Sequence, residues 1–163
     1  MTVDRSGAHI VPARAEHRLP IESLLRRTGL FRDGEVGVAL EVLDVYLFRD
    51  GQEDYEIYTA SMEGEVAGFV CFGFNALTVG TFDLYWIAVD PPFQGRGVGA
   101  DLMAIVESEA RRRGGRMVTV ETSSRADYGP ALRFYRRRGY AEEARVADYY
   151  GPGDDKVIFV KRF

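Results

Sequence analysis

A mixed α/β fold is the architecture this sequence predicts: a mostly antiparallel sheet with one parallel strand pair at its centre, flanked by helices. Three observations carry it. Two helical patterns are followed by three strand-like runs joined by short turns, the order of an antiparallel meander. From residue 81 onward strands and helices alternate, which calls for a parallel crossover inside the same sheet. The chain is 163 residues long, without repeats, low-complexity tracts or Pro/Ser-rich linkers, so residues 1–163 are expected to form a single domain.

Taken in order, His9–Pro12 is a short strand candidate. Glu16–Arg27 reads as a helix, with Leu19, Leu24 and Leu25 at helical spacing and Gly29 as its stop. A second helix runs from Asp33, an N-cap candidate, to about Phe48, with Val38, Val42, Val45 and Tyr46 on one stripe. Asp50-Gly51 ends it. Tyr55–Ser61 alternates like a strand, and Glu63-Gly64-Glu65 is a tight turn. Val66–Phe74 and Thr81–Val89 are the next two strands. Gly97–Arg113 is a helix carrying Val98, Leu102, Ile105, Val106 and Ala110 on one face, closed by Gly114-Gly115. Arg116–Glu121 is a strand. Pro130–Arg138 is a short helix, with proline in its first turn and Gly139 past its end. Tyr140–Val146 and Val157–Lys161 are the last strands, on either side of a turn from Tyr150 to Asp155.

Composition narrows the function class. The net charge is −4, but it is unevenly spread. Residues 96–138 hold ten arginines against five acids, while residues 1–90 hold seven arginines, no lysine and fifteen acids. A basic half suits a polyanionic ligand and an acidic half a cationic one, although a solvated surface accounts for both equally well. Overall acidity and the lack of any nucleic-acid motif argue against DNA or RNA as a partner. No apolar run approaches a membrane span, and the first residues show no secretory leader. The single cysteine, Cys71, cannot form an internal disulfide, which fits a reducing, cytoplasmic setting. No metal site is expected.

The most informative segment is Trp86–Ala100. A strand ends at Val89, Asp90-Pro91-Pro92 turns the chain out of the sheet, and Gln94–Gly99 leads into a helix. Gly95, Gly97 and Gly99 have no Cβ, so successive N–H groups can converge at a helix start, where unsatisfied donors and the dipole favour an anion. A pyrophosphate is the natural occupant, and Arg96 can add a charge-assisted contact. Gly95–Ala100 formally satisfies a dinucleotide-binding pattern, but the Asp90–Phe93 elbow and the antiparallel strands before it do not fit that fold. A P-loop needs Gly-Lys-Ser/Thr, and Ala100-Asp101 follow Gly99 instead.

Asp83–Gly139 resembles the GNAT superfamily of N-acetyltransferases. Gln94-Gly95-Arg96-Gly97-Val98-Gly99 matches every fixed position of its Gln/Arg-x-x-Gly-x-Gly/Ala motif, and Ile87-Ala88-Val89-Asp90-Pro91 extends the match. The block Ala131–Tyr140 looks like the family's second motif. The pattern is nearest to the ribosomal-protein N-terminal acetyltransferases, although Tyr128 stands where those carry an asparagine. The resemblance implies acetyl-CoA as acetyl donor, lying between splayed parallel strands Thr81–Val89 and Arg116–Glu121. Backbone groups of Ile87, Ala88 and Val89 would pair with the pantetheine arm. Gln94, Gly95, Arg96, Gly97, Val98, Gly99 and Ala100 would hold the pyrophosphate. A non-catalytic acyl-CoA-binding module of the same fold is the alternative.

The chemistry expected of such a protein is direct attack of a primary amine on the thioester. By spacing from Gly139, Tyr135 matches the family's catalytic tyrosine; packing is its other role. Glu121 resembles the base of the ribosomal-protein enzymes, and Asp83 the base of histone-type members. Either carboxylate beside an apolar strand would be desolvated, which suits a base, and a water chain is the third choice. His9 and His17 lie far from the motifs, and Cys71 has no partner that would make it a nucleophile. Tyr149 and Tyr150 resemble the region that lines the acceptor site. The acceptor itself, a protein N-terminus, a lysine or a small amine, is not specified, and the acidic half favours a cationic one. A homodimer is left open.

Overall fold

The fold is that of a computed structural model, which describes residues 6–163; the residues before Ser6, where a leader would begin, lie outside it. Seven strands form one sheet: β1 (His9–Pro12), β2 (Glu56–Met62), β3 (Glu65–Phe74), β4 (Thr81–Val89), β5 (Met117–Ser123), β6 (Ala141–Gly151) and β7 (Asp154–Arg162). Their spatial order is β1-β2-β3-β4-β5-β7-β6. Every pairing is antiparallel except β4 with β5, so the expected mixed sheet with one parallel pair is what forms. Four helices cover it: α1 (Arg18–Arg27), α2 (Asp33–Phe48), α3 (Val98–Arg112) and α4 (Gly129–Arg137). Among the described residues no helix is long and apolar enough to cross a membrane.

The sheet separates two cores, and strand alternation decides which residue joins which. On β3, Val70 and Phe72 face α3 and α4, together with Phe82, Leu84, Val98, Leu102, Val106, Val118, Val120 and Tyr135. Phe69 and Cys71 face α1 and α2, with Ile21, Leu24, Leu25, Val36, Leu40, Leu43 and Ala88. Side chains such as Leu24, Leu102 and Phe72, fully buried, are each worth about 1.5–3 kcal/mol of burial.

Several sequence expectations shift by a residue or two. The first helix begins as a tight turn over Ala15–His17 before α1 proper, and Leu19 points to solvent while Ile21 is buried. On α2 the buried stripe is Val36, Ala39, Leu40 and Leu43, with Val38 outside it. That helix is apolar on most sides, so periodicity alone does not choose its inner face. The last two strands are longer than expected, and only Pro152 and Gly153 separate them. The surplus residues are absorbed inside β6, where pairing jumps from Val146↔Lys156 to Gly151↔Asp154. Asp148 holds that bulge with φ +53: its carboxylate accepts from Gly153 N–H at 2.7 Å, while its own N–H donates to Asp155 at 3.0 Å. Such local bonding is what lets an aspartate adopt the left-handed conformation.

Candidate active site

The parallel pairing of β4 with β5 runs only from Thr81↔Met117 to Leu84↔Val120. Beyond it each strand stays with its outer neighbour: Val89 pairs with Gly68 of β3, and Ser123 with Lys156 of β7. The strands therefore part, and the edge of β4 from Tyr85 to Val89 faces no partner strand. A cavity of about 1000 Å³ occupies the gap. Ile87, Val89, Gln94, Gly99, Thr122, Phe134 and Tyr135 line it toward α3 and α4. Phe31, Arg32, Glu35, Asp83, Trp86, Glu121, Ser123, Arg125, Tyr128, Tyr150 and Asp154 line it elsewhere.

At one end of this gap the glycine loop meets α3. Gly95 (φ +74) and Gly97 (φ +92) both adopt the left-handed conformation that favours glycine, and Gly97 is the N-cap. The first helical bond runs from Asp101 N–H to Gly97 O at 3.1 Å, which leaves the N–H groups of Val98, Gly99 and Ala100 without intrahelical acceptors. A second cavity, about 340 Å³, lies against Gln94, Gly95, Gly97, Val98, Gly99 and Ala100. Gln94 ties the loop back to β4 by donating to Val89 O at 3.0 Å. The expected cationic contribution of Arg96 is differently placed. Its guanidinium pairs with Glu63 at 2.5 Å and rests 5.5 Å from the Phe93 ring, outside both cavities. Arg137, the last residue of α4, and Arg138 just past it line the smaller cavity instead, and Arg138 Nε is buried without a hydrogen-bond partner among the described residues.

The candidate acid and bases lie on opposite faces of the sheet. Tyr135 is 6% exposed, packed against Phe134, Tyr140 and Phe159, and lines the larger cavity. Its hydroxyl has no hydrogen bond within the described residues. Burial, with the charge of Tyr128 added, pushes its ionisation well above the ordinary tyrosine range. Asp83 and Glu121 alternate with Phe82, Leu84, Val118 and Val120, so they face the α1/α2 side. Asp83 is half-buried and accepts from Asn75 Nδ2 at 3.0 Å and Thr119 Oγ1 at 2.5 Å. The desolvated surroundings expected for Glu121 are absent: its side chain is 55% exposed and its Oε2 lies 2.7 Å from Lys156 Nζ. β5 does not end there but continues two residues to Ser123, which puts Glu121 mid-strand.

Of the two tyrosines expected near an acceptor, Tyr150 lines the cavity. Tyr149 is exposed outside it, in edge contact with Tyr150 at 4.9 Å and with Lys156 Nζ 4.5 Å above its ring. Neither histidine reaches the cavity; His17 is held by Arg14 N–H at 3.0 Å and lies 3.2 Å from Thr59 Oγ1. Sequence reasoning missed Asp154, Ser123, Glu35 and Arg32. Asp154 is buried and accepts from Ser123 Oγ, though in the sequence it is one of several polar residues in a turn. Arg125 pairs with Asp127 at 3.1 Å and donates to Leu30 O at 3.0 Å, latching the segment after β5 to the α1–α2 connection. Arg27 does likewise for the elbow, donating to buried Asp90 at 2.9 and 2.5 Å.

Known proteins share this fold and family. Residues 24–140 match the family described as the acetyltransferase (GNAT) family. A solved structure of a Desulfovibrio desulfuricans protein assigned to the GNAT family is 35% identical, superposes with a TM-score of 0.90, and covers 95% of this chain and 98% of its own. The aminoalkylphosphonate N-acetyltransferase of Salmonella typhimurium is 29% identical over 149 residues, 82% of this chain and 94% of that protein. An aminoglycoside 6′-N-acetyltransferase solved with coenzyme A shares the fold at 16% identity, with a TM-score of 0.73 and coverage of 94% of this chain and 96% of that one.

Proposed function

The chain belongs to the GNAT acetyltransferase family, which takes acetyl-CoA as acetyl donor, and we propose that it acetylates a primary amine by direct attack on the thioester. The observation that carries this reading is the parting of β4 from β5, with an anion-ready loop at one end and Tyr135 lining the gap.

Acetyl-CoA, when bound, supplies an activated acetyl thioester. The N–H groups at the start of α3, with Gln94–Ala100 around them, hold its pyrophosphate. Gly95 and Gly97 allow the close approach, and Arg137 and Arg138 supply the charge that Arg96 spends on Glu63. The free edge of β4 at Ile87, Ala88 and Val89 offers backbone groups to the pantetheine arm, as one strand does to another. Tyr135, kept protonated by its burial, donates a proton to the departing sulfur. On the other face Glu121, or Asp83, takes the proton the amine loses, directly or through water. Tyr150, with Tyr149 behind it, flanks the acceptor.

Acids outnumber arginines along the α1/α2 side of the cavity, where Glu35, Asp83, Glu121, Asp127 and Asp154 face Arg32 and Arg125, so a cationic acceptor is favoured. The one cysteine, buried and unpaired, suits a reducing cytoplasmic setting. The outermost strand β6, exposed from Ala141 to Tyr150, is the edge a second copy would cover in a homodimer.

The deciding experiment is thiol release from acetyl-CoA against a panel of small amines, lysine and peptide N-termini. Amine-dependent release is expected. Calorimetric CoA binding with no release for any amine would reduce the protein to a non-catalytic acyl-CoA-binding module.

A further inference from the structure

We infer that the acceptor side of the cavity contains a separate cation subsite at Asp154, and that the acceptor is therefore a short aliphatic diamine. This rests on the acetyl-transfer reading above.

Asp154 opens β7 and is 6% exposed, yet it lines the large cavity. Its Oδ1 accepts from Ser123 Oγ, and Oδ2 has no donor among the described residues. Ser123 is oriented for this task because its oxygen already accepts from Arg125 N–H at 3.1 Å, which leaves its own proton for Asp154. No lysine, arginine or histidine nitrogen of the described residues lies within 4 Å of the Asp154 carboxylate. A carboxylate this buried is costly to leave without a cation. Tyr128, Tyr150 and the Asp127-paired Arg125, all on the cavity wall, stand near enough for its charge to act on them. Both rings add aromatic surface to the wall of the cavity that holds this carboxylate, which suits an alkylammonium.

Two of the other cavity-side cations are already engaged: Lys156 sits on Glu121 at 2.7 Å and Arg125 on Asp127 at 3.1 Å. Glu35 caps α2 by accepting from the Arg32 backbone N–H at 2.7 Å, and the Arg32 guanidinium has no ion pair among the described residues. Asp154 thus stands apart from the candidate base. Ser123 is two residues beyond Glu121 on β5, roughly 6–7 Å at the usual strand rise. The attacking nitrogen has to be neutral at the thioester, whereas Asp154 calls for a lasting positive charge. One nitrogen does not meet both demands, and two joined by a few methylenes do.

The test compares initial rates for 1,4-diaminobutane, 1,3-diaminopropane, butylamine and 2-aminoethylphosphonate, in wild type and Asp154→Asn. A charge-assisted hydrogen bond to a desolvated carboxylate is worth at least about tenfold, so kcat/KM for a diamine should exceed that for butylamine by that factor or more. Asp154→Asn should bring the two within about threefold, through a rise in KM that is larger for the diamine than for butylamine, with calorimetric CoA affinity unchanged. Unchanged CoA affinity shows the variant is folded. Four results overturn the proposal: no diamine preference in wild type, a preference that survives in Asp154→Asn, an equal loss for butylamine, which would put Asp154 on the reacting nitrogen, or faster turnover of the phosphonate, which would give the cavity-lining Arg32 the defining role. If no amine releases thiol at all, the acetyl-transfer reading fails separately. Diamine binding to the CoA complex by calorimetry then still decides whether the subsite exists.

Discussion

Replacing Tyr135 by phenylalanine separates chemistry from packing, because the structure gives the hydroxyl no structural work. The ring lies 5.5 Å from Phe134, 6.1 Å from Tyr140 and 5.6 Å from Phe159, contacts that phenylalanine keeps. The oxygen has no protein partner among the described residues, so its removal orphans nothing and stability should change by less than about 1 kcal/mol. Loss of a general acid lowers kcat by about 10²–10⁴, or ~2.7–5.5 kcal/mol of transition-state stabilisation. The two effects are far enough apart to be distinguished in one variant. Burial raises the ionisation of Tyr135 above the ordinary value near 10, so the hydroxyl is protonated from about pH 6 to 9 and the loss should be flat across that range. The assay is steady-state thiol release at saturating acetyl-CoA, with CoA affinity by calorimetry and a urea midpoint alongside. A kcat within about threefold of wild type, or a drop in CoA affinity as large as the drop in kcat, would return Tyr135 to the core.

Gly97→Val should abolish measurable CoA binding, because φ +92 is strained for any β-branched residue and a Cβ there meets Ser6 at 3.4 Å; unchanged calorimetric affinity in a folded variant would remove the loop from the donor site. Glu121→Gln should depress turnover most near neutral pH, where the acceptor is mainly ammonium, with Asp83→Asn as matched control; parallel pH–rate profiles for all three proteins would leave the proton to water. Cys71 is fully buried and burial pushes its thiol up, so the native protein should show no thiol reactive to a disulfide reagent and one after denaturation. Burial pushes Tyr85 and Tyr128 up to about 12, so their contribution is intact below about pH 10, where unfolded tyrosines are neutral, and is lost as pH rises toward 12. Urea midpoints should fall between pH 9 and 11, and less steeply in Tyr128→Phe.

The proposed donor side of this protein is legible in the sequence because its signals are local. Gln94–Gly99 is one uninterrupted segment, and helix start, glycine placement and strand end all lie within it. The sheet's mixed topology follows for the same reason, from turns short enough to force antiparallel neighbours and a helix that forces a parallel one. The proposed acceptor side is assembled from residues far apart in the chain. Asp154 meets Ser123 across 31 positions, and Arg125 reaches Leu30 across 95. No spacing rule links such residues, and a buried Asp154 looks the same in sequence as the exposed polar residues around it. Arg96 shows the converse limit. Its place in the loop is a local fact, but its engagement with Glu63 depends on where the β2–β3 turn comes to rest.

The feature that divides the two sides is a single surplus residue. Cys71 pairs with Trp86 and Phe72 with Leu84, so Tyr85 is a bulge in β4. A strand shows alternate residues to opposite faces, and one extra residue reverses every face after it. Because of Tyr85, Asp83 and Trp86 both face α1 and α2, while Leu84, Ile87 and Val89 face α3 and α4. The bulge also falls where the parallel pairing with β5 stops, at Leu84↔Val120. In the proposed reaction donor and acceptor would therefore approach one gap from opposite faces of one sheet. On the proposed reading the sulfur would leave on the side of Tyr135, and the amine would shed its proton on the side of Asp83 and Glu121. Neither proton has to cross the sheet, so the hydroxyl on α4 and the carboxylates of β4, β5 and β7 can be tuned independently.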